Sequence, residues 1–285
     1  MHSLKDKVAV VTGGAQSIGY GICEALGAAG CEVIIADIRK ERLQQSSKKL
    51  LARGCRCQTV EVDVTKEESV RAMAEQIKAH HGRIDILVNS AGVPPNVVPL
   101  IHLSAAEWNR VLDVNLFGVF LCCREVGALM VQQESGKIIN IASLNAVSPA
   151  ALSVSYNVAK AGVVSLTQTL AVELAPFGVN VNAISPGPIS TEFHDTVMPQ
   201  RAATLGITRE AMVERVRASI PLGRWGKPED IAKVALFLAS QQSECGEILV
   251  YLHKPVPHLR QVYGTTLLFT GENNWKLEFV MKHAK

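Results

Sequence analysis

The strongest constraint in this sequence is a regular alternation of two hydrophobic patterns. Short apolar runs at Lys7–Thr12, Cys31–Asp37, Ile84–Asn89, Lys137–Ala142 and Val179–Ile184 are separated by segments of helical spacing. Those segments are Ile18–Ala29, Arg39–Arg53, Glu67–His81, Ala105–Met130 and Ser155–Leu174. A strand that is apolar throughout must be covered on both faces, as in a parallel sheet flanked by helices. The expected fold is therefore α/β, a doubly wound parallel sheet with helices on both faces and right-handed crossovers. Arg56–Val64 alternates like a further strand, and Thr65 is expected to cap the Glu67–His81 helix, with Glu68 three residues on. Pro228–Ser240 and Glu247–Tyr251 read as a last helix and strand.

The pattern breaks between about Gly187 and Leu222, where Pro, Thr and charge increase around a short helix near Arg209–Ala218. Irregular stretches of that length in a compact domain serve as lids or binding loops. Residues 1–250 are expected to form one domain carrying this lid. The tail 251–285 departs from the pattern; Thr265–Thr270 and Trp275–Val280, around Gly271-Glu272-Asn273-Asn274, resemble a β-hairpin.

With 48% hydrophobic and 19% charged residues, a large core is available. The net charge of +3 is small and scattered, so nucleic acid is not an expected partner. No uninterrupted apolar stretch suits a membrane span, and the N-terminal run enters a Gly-rich turn rather than a cleavage site. The seven cysteines lack zinc-site spacing, so reduced thiols, a cytoplasmic location and no metal site are expected.

Thr12-Gly13-Gly14-Ala15-Gln16-Ser17-Ile18-Gly19 leaves the first strand and opens the first helix. Glycines let the backbone approach a pyrophosphate, and the helix start offers free N–H groups. Asp37 ends the second strand, where a carboxylate accepts ribose hydroxyls and repels a 2′-phosphate; NAD(H) is therefore the expected cofactor, although Arg39 lies close. Asp63 ends the third strand, within reach of an adenine. Tyr156 and Lys160 share a helix face after the fifth strand, and Ser143 ends that strand. Asn115 is a polar residue in the apolar run Val111–Leu121, costly to bury without a partner.

Together these segments resemble the short-chain dehydrogenase/reductase family over about residues 5–250. The resemblance rests on Thr12–Gly19, Asp63-Val64, Asn89-Ser90-Ala91-Gly92, Asn115, Ser143, Tyr156-Asn157-Val158-Ala159-Lys160 and Ser185-Pro186-Gly187-Pro188-Ile189-Ser190-Thr191. Pro221–Arg224 and Gly226–Asp230 add to it. It implies a Rossmann-type fold and a catalytic set of Asn115, Ser143, Tyr156 and Lys160. Tyr156 would be the general acid/base, Lys160 would lower its pKa and bind the nicotinamide ribose, Ser143 would orient the substrate oxygen, and Asn115 would hold a relay water. It further implies a cofactor site of Gly13, Ser17, Ile18, Gly19, Asp37, Asp63, Val64, Asn89, Ala91, Gly92, Tyr156, Lys160, Pro186, Gly187, Ile189 and Thr191. Ser143, Asn145, Val93 and His194, with Phe193, are candidate substrate contacts; His80, His81 and Trp225 read as structural.

Two departures from the family stand out. Ser17 occupies the place of the middle glycine of the turn, read here as needing only a small side chain. After Val250 a Val-Asp-Gly-Gly-like segment is expected, yet Tyr251-Leu252-His253-Lys254-Pro255 follows, so the tail reads as a replaced C-terminus. The expected activity is hydride transfer between NAD(H) and a secondary alcohol or ketone, a polyol or sugar among them. A 3-oxoacyl-thioester reductase shares the same residues, and a non-catalytic dinucleotide-binding protein is the reading from another class. A homo-oligomer, dimer or tetramer, is expected through the helices Ala105–Met130 and Ser155–Leu174, with the C-terminal interface that the resemblance implies changed by the altered tail.

Overall fold

The computed structural model describes residues 4–243, 248–252 and 265–268. Within them lies one parallel sheet of strands β1 (Val8–Thr12), β2 (Glu32–Asp37), β3 (Arg56–Glu61), β4 (Ile86–Asn89), β5 (Gly136–Ile141), β6 (Val179–Pro186), β7 (Ile248–Leu252) and β8 (Thr265–Leu268). Their order is β3-β2-β1-β4-β5-β6-β7-β8, the doubly wound Rossmann-type arrangement expected. The strand register sends alternate residues to opposite faces. Val11, Val33, Ile35, Val88 and Ile184 pack under α1 (Ser17–Ala28), α2 (Lys40–Ala52) and α9 (Pro228–Ala239). Val10, Ile34, Leu87, Ile138 and Val181 pack under α3 (Glu67–His81), α5 (Gly118–Gln133) and α6 (Val154–Leu174).

Several local expectations are corrected. Thr65 does not cap α3: Lys66 takes that position, and Thr65 bonds Asp63 Oδ1 through its N–H and hydroxyl at 2.9 and 2.7 Å. The long helix Ala105–Met130 is α4 (Ala105–Leu112) and α5 joined by a π turn at Asp113–Phe117. Ser17 has φ +49, so this position does take the left-handed backbone that disfavours a side chain.

The lid is more regular than expected. It holds α7 (Glu192–Leu205) and α8 (Arg209–Ala218), which close a small core of Val97, Val197, Met198, Ala202 and Met212. Its base is stitched to the body by Ser190 N–H to Gly226 O at 2.9 Å and Gly226 N–H to Pro188 O at 3.0 Å. In the tail, Thr265–Leu268 pairs in parallel with β7. The expected turn and second strand of a hairpin, Trp275–Val280, lie outside the described residues.

Ala105–Gln133 and Val154–Phe177 are long and apolar enough to cross a membrane by composition. Part of that apolar surface, including Val119, Leu121, Val126 and Val163, packs in the layer over the sheet, and Phe117, Phe120, Val158 and Val172 are exposed.

Asp85, 5% exposed, ties the N-terminal end of this sheet. It accepts from Val8 N at 2.9 Å, Lys7 Nζ at 3.0 Å and Arg83 Nε at 2.8 Å. Burial pushes its pKa up, but Arg83, Val8 and Lys7 outweigh that and hold it below the ordinary value. Stability from this site is therefore present above the ordinary carboxylate range and lost as the pH falls through the lower folded value. Asp85→Asn should cost about 2–3 kcal/mol in urea melts at pH 7, and the difference from wild type should shrink below about pH 4.

Candidate active site

The C-terminal ends of the strands open on a cavity of about 710 Å³, within the range that holds a cofactor and a small substrate. At one end the chain turns from β1 into α1. The Gly13 backbone has φ +63, and a Cβ there would lie 2.7 Å from Ala91 Cα. A Cβ on Gly19 would lie 2.2 Å from Gly13 O, so the turn closes only with glycine. The N-terminus of α1 has no side-chain cap, so its first N–H groups remain available at the cavity wall formed by Ser17, Ile18 and Gly19.

Asp37 reaches the same cavity at 4% exposure. Its Oδ1 accepts from the Arg39 N–H at 3.1 Å and Nε at 3.2 Å, and its Oδ2 from Nη2 at 3.3 Å. Arg39 and Arg42 both donate to Gln16 Oε1, and Arg42 pairs with Glu192 of the lid at 2.8 Å. Asp63, Val64, Ala91, Gly92, Pro186, Gly187, Ile189 and Thr191 line the wall as expected. Asn89 does not line it. Its Nδ2 donates to Asn140 Oδ1 at 2.9 Å, and Asn140 donates to Thr167 at 2.9 Å, so Asn89 braces strand to helix beneath the site.

The cavity also collects Asn115, Ser143, Tyr156 and Lys160, from the π turn, the end of β5 and the first turns of α6. Asn115 is fully buried; its Nδ2 donates to Val93 O at 3.1 Å and Val111 O at 2.9 Å, and its Oδ1 accepts from Val93 N at 3.3 Å. The π turn thereby aims a polar side chain out of an apolar helix and fixes the backbone at Val93. Burial pushes the Tyr156 phenol up to about 12, and a hydrogen bond with Ser143 draws it partly back. Lys160 lies with Nζ 5.7 Å from the Tyr156 ring centre and donates to Ile141 O at 2.7 Å. Burial lowers its pKa to about 8.

The lid supplies residues that the sequence reading weighted little or missed. Phe193 lies 5.2 Å from the Tyr156 ring, and His194 meets Trp225 edge-on at 5.0 Å. His194 is a half-buried residue of α7, and desolvation lowers its pKa to about 4. Val93 and Asn145 line the cavity; Asn145 Nδ2 donates to Asn157 Oδ1 at 3.0 Å. Arg201 was missed, although its i, i+7 spacing from His194 puts both on one face of α7. Among the described residues no group of side chains suits a metal ion, and the six described cysteines are unpaired.

This arrangement is that of an oxidoreductase acting on CH–OH groups, and the comparisons agree. The family model described as Enoyl-(Acyl carrier protein) reductase matches residues 13–250. An NAD-dependent glycerol dehydrogenase of Listeria innocua is 38% identical over 250 residues, 87% of this chain and 93% of the relative. A 3-oxoacyl-acyl-carrier-protein reductase of Thermotoga maritima is 35% identical over 240 residues, 84% of this chain and 93% of the relative. The crystal structure of NAD+-bound xylitol dehydrogenase superimposes with a TM-score of 0.84 at 27% identity, covering 88% of this chain and 99% of that one. The chain belongs to the short-chain dehydrogenase/reductase family.

The buried ammonium predicts a stability signature. Below about pH 8 Lys160 is charged both folded and unfolded, so its full burial cost is present. Between 8 and 10.5 the folded chain sheds the proton first, and the cost fades as the pH rises. Lys160→Met should therefore stabilise the cofactor-free protein at pH 7 by about 2 kcal/mol, after the lost Ile141 bond is counted. Thermal melts at pH 7 and pH 10 check this, with the gain shrinking at the higher pH.

Proposed function

We propose that this chain is an NAD(H)-dependent oxidoreductase that interconverts a secondary alcohol and its ketone, a polyol or sugar among the candidates, with Tyr156 as general acid/base. The observation that carries this reading is the buried Tyr156 phenol, bonded to Ser143 and flanked by Lys160 at the cavity wall. The residues fit a dinucleotide. Free N–H groups at the start of α1 suit a pyrophosphate, Asp37 suits ribose hydroxyls, and Ile189 and Thr191 stand where a carboxamide would be held. When bound, the nicotinamide supplies or accepts the hydride. Ser143 holds the substrate oxygen, and Tyr156 takes its proton in oxidation or returns it in reduction. The positive charge of Lys160 favours the phenolate. Asn115, with both amide hydrogens committed, keeps one Oδ1 lone pair for a relay water between Lys160 and solvent.

The preference for NAD(H) is supported by the Asp37–Arg39 pair. The carboxylate opposes a 2′-phosphate, and the guanidinium that would welcome one is already spent on it. A 3-oxoacyl-thioester reductase is the second reading, favoured by the identity to the Thermotoga maritima reductase. We assign the activity to about residues 1–250, with 251–285 as an appended tail. Phe117, Phe120, Val158 and Val172 are exposed along the π turn, α5 and α6, which supports a homo-oligomer, dimer or tetramer, built on these helices. The unpaired thiols support a cytoplasmic location.

Fluorescence titration with NADH and NADPH, followed by an alcohol panel at alkaline pH, tests the assignment. Wild type should bind NADH at least about tenfold more tightly than NADPH, and Asp37→Ala should erase most of that preference. Tyr156→Phe should bind NADH and lose about 10²–10⁴-fold in kcat/KM on the active alcohol. Tighter NADPH binding, with turnover of 3-oxoacyl thioesters, would establish the second reading instead.

A further inference from the structure

The cavity carries an uneven distribution of charge. Its carboxylates, Asp37, Asp63 and Glu192, lie where β2 and β3 end or, for Glu192, face α2 through Arg42. The rest of the lining, which takes in Tyr156, Ser143 and the titratable Lys160 with Val93, Asn145, Phe193, His194, Met198 and Arg201, has no acidic side chain. Arg201 is the permanent cation of this half. Its Nη2 donates to Ser153 Oγ at 2.9 Å, and among the described residues it has no carboxylate partner. Asp195, six residues earlier in the same helix, is paired with Arg209 at 2.7 Å. His194, kept neutral by desolvation, adds no charge.

A half-buried guanidinium without a counter-ion carries a desolvation cost, and it cannot discharge by losing its proton. The cost is offset when an anion arrives. The placement suits a substrate group. Ser153, 2% exposed, starts α6 just ahead of Tyr156, so Arg201 is anchored about one helical turn, ~5 Å along the axis, from the acid/base residue. His194, Met198 and Arg201 follow the i, i+4, i+7 spacing of one helix face.

We propose that Arg201 is a specificity-determining residue and that the secondary alcohol handled here carries a carboxylate, held by Arg201 while Ser143 and Tyr156 meet the hydroxyl. This rests on the reading of the site as a secondary-alcohol oxidoreductase. The planar carboxylate matches the guanidinium fork. A phosphate dianion would carry a larger desolvation cost against the apolar Val93, Phe193 and Met198.

The test is calorimetric titration of the full chain, with and without NADH, using matched probes. These are D-glycerate against glycerol, D-gluconate against D-glucitol and 3-hydroxybutanoate against 1,3-butanediol, with glycerol 3-phosphate as the phosphate arm. At least one acid should bind about 30-fold more tightly than its neutral partner. Arg201→Met should bring that ratio close to one, and Arg201→Lys, which keeps the charge, should retain part of it; thermal melts report that each variant is folded. Equal affinity for acid and neutral partner in wild type, a ratio that survives in R201M, tightest binding of the phosphate, or no binding of any acid overturns the proposal. Turnover of the same pairs is read separately. Acids bound through Arg201 but never oxidised would sink the oxidoreductase reading and leave the anion site standing. Neutral alcohols oxidised without an acid preference would do the reverse.

Discussion

A parallel sheet buried on both faces brings every strand's C-terminal end to the same edge, and the rest of the structure follows from that constraint. Asp37 ends β2, the Thr12–Gly19 turn leaves β1, Ser143 follows β5, and Pro186 closes β6. Strands β1, β2, β4, β5 and β6 are held by apolar packing on two sides, so the residues at their ends are aimed by the core rather than by loops. The cavity is the space the crossovers leave above that edge, and the lid is docked to it through Ile189 and Gly226.

Within that space, desolvation sets the chemistry. It disfavours the charged forms of both Tyr156 and Lys160, raising one pKa and lowering the other. In the cofactor-free chain the pair therefore rests as a phenol beside an ammonium that is easily discharged. Added positive charge favours the phenolate, so in the acid/base role proposed for it Tyr156 would become competent when its electrostatic environment is completed. The lid contributes to the same desolvation by laying Phe193 on the Tyr156 ring.

Strand positions and most helices were legible because burial on two faces writes long apolar runs. Ser143, Tyr156 and Lys160 were legible as neighbours from strand ends and helix spacing, and the resemblance to the family's motifs added Asn115 and the roles proposed for all four. What escaped depended on local conformation or tertiary packing. Helix α7 was hidden by Pro199 and by a polar surface, since only its Val197–Met198–Ala202 stripe is buried. The π turn at Asn115 leaves no mark on hydrophobic periodicity, although it decides where that amide points. The left-handed backbone at Ser17 comes from the geometry of the turn, and a serine there gives no local sign of it. Thr65 suited a helix cap by type and position, but the Asp63 carboxylate competed for it and won. Asn89 was read from its motif as both bracing the sheet and walling the cofactor site; its side chain points into the layer that joins β4, β5 and α6.

The proposed chemistry depends on a tyrosine whose ionisation responds to added positive charge. Ultraviolet difference titration of tyrosinate, wild type against Tyr156→Phe, isolates that group from the other tyrosines. In the cofactor-free protein the difference signal should appear only near pH 12. With NAD+ saturating, it should move down by at least about two pH units, as expected for a nearby opposite charge. A midpoint that NAD+ leaves in place would contradict the central claim that Tyr156 is the acid/base of this site.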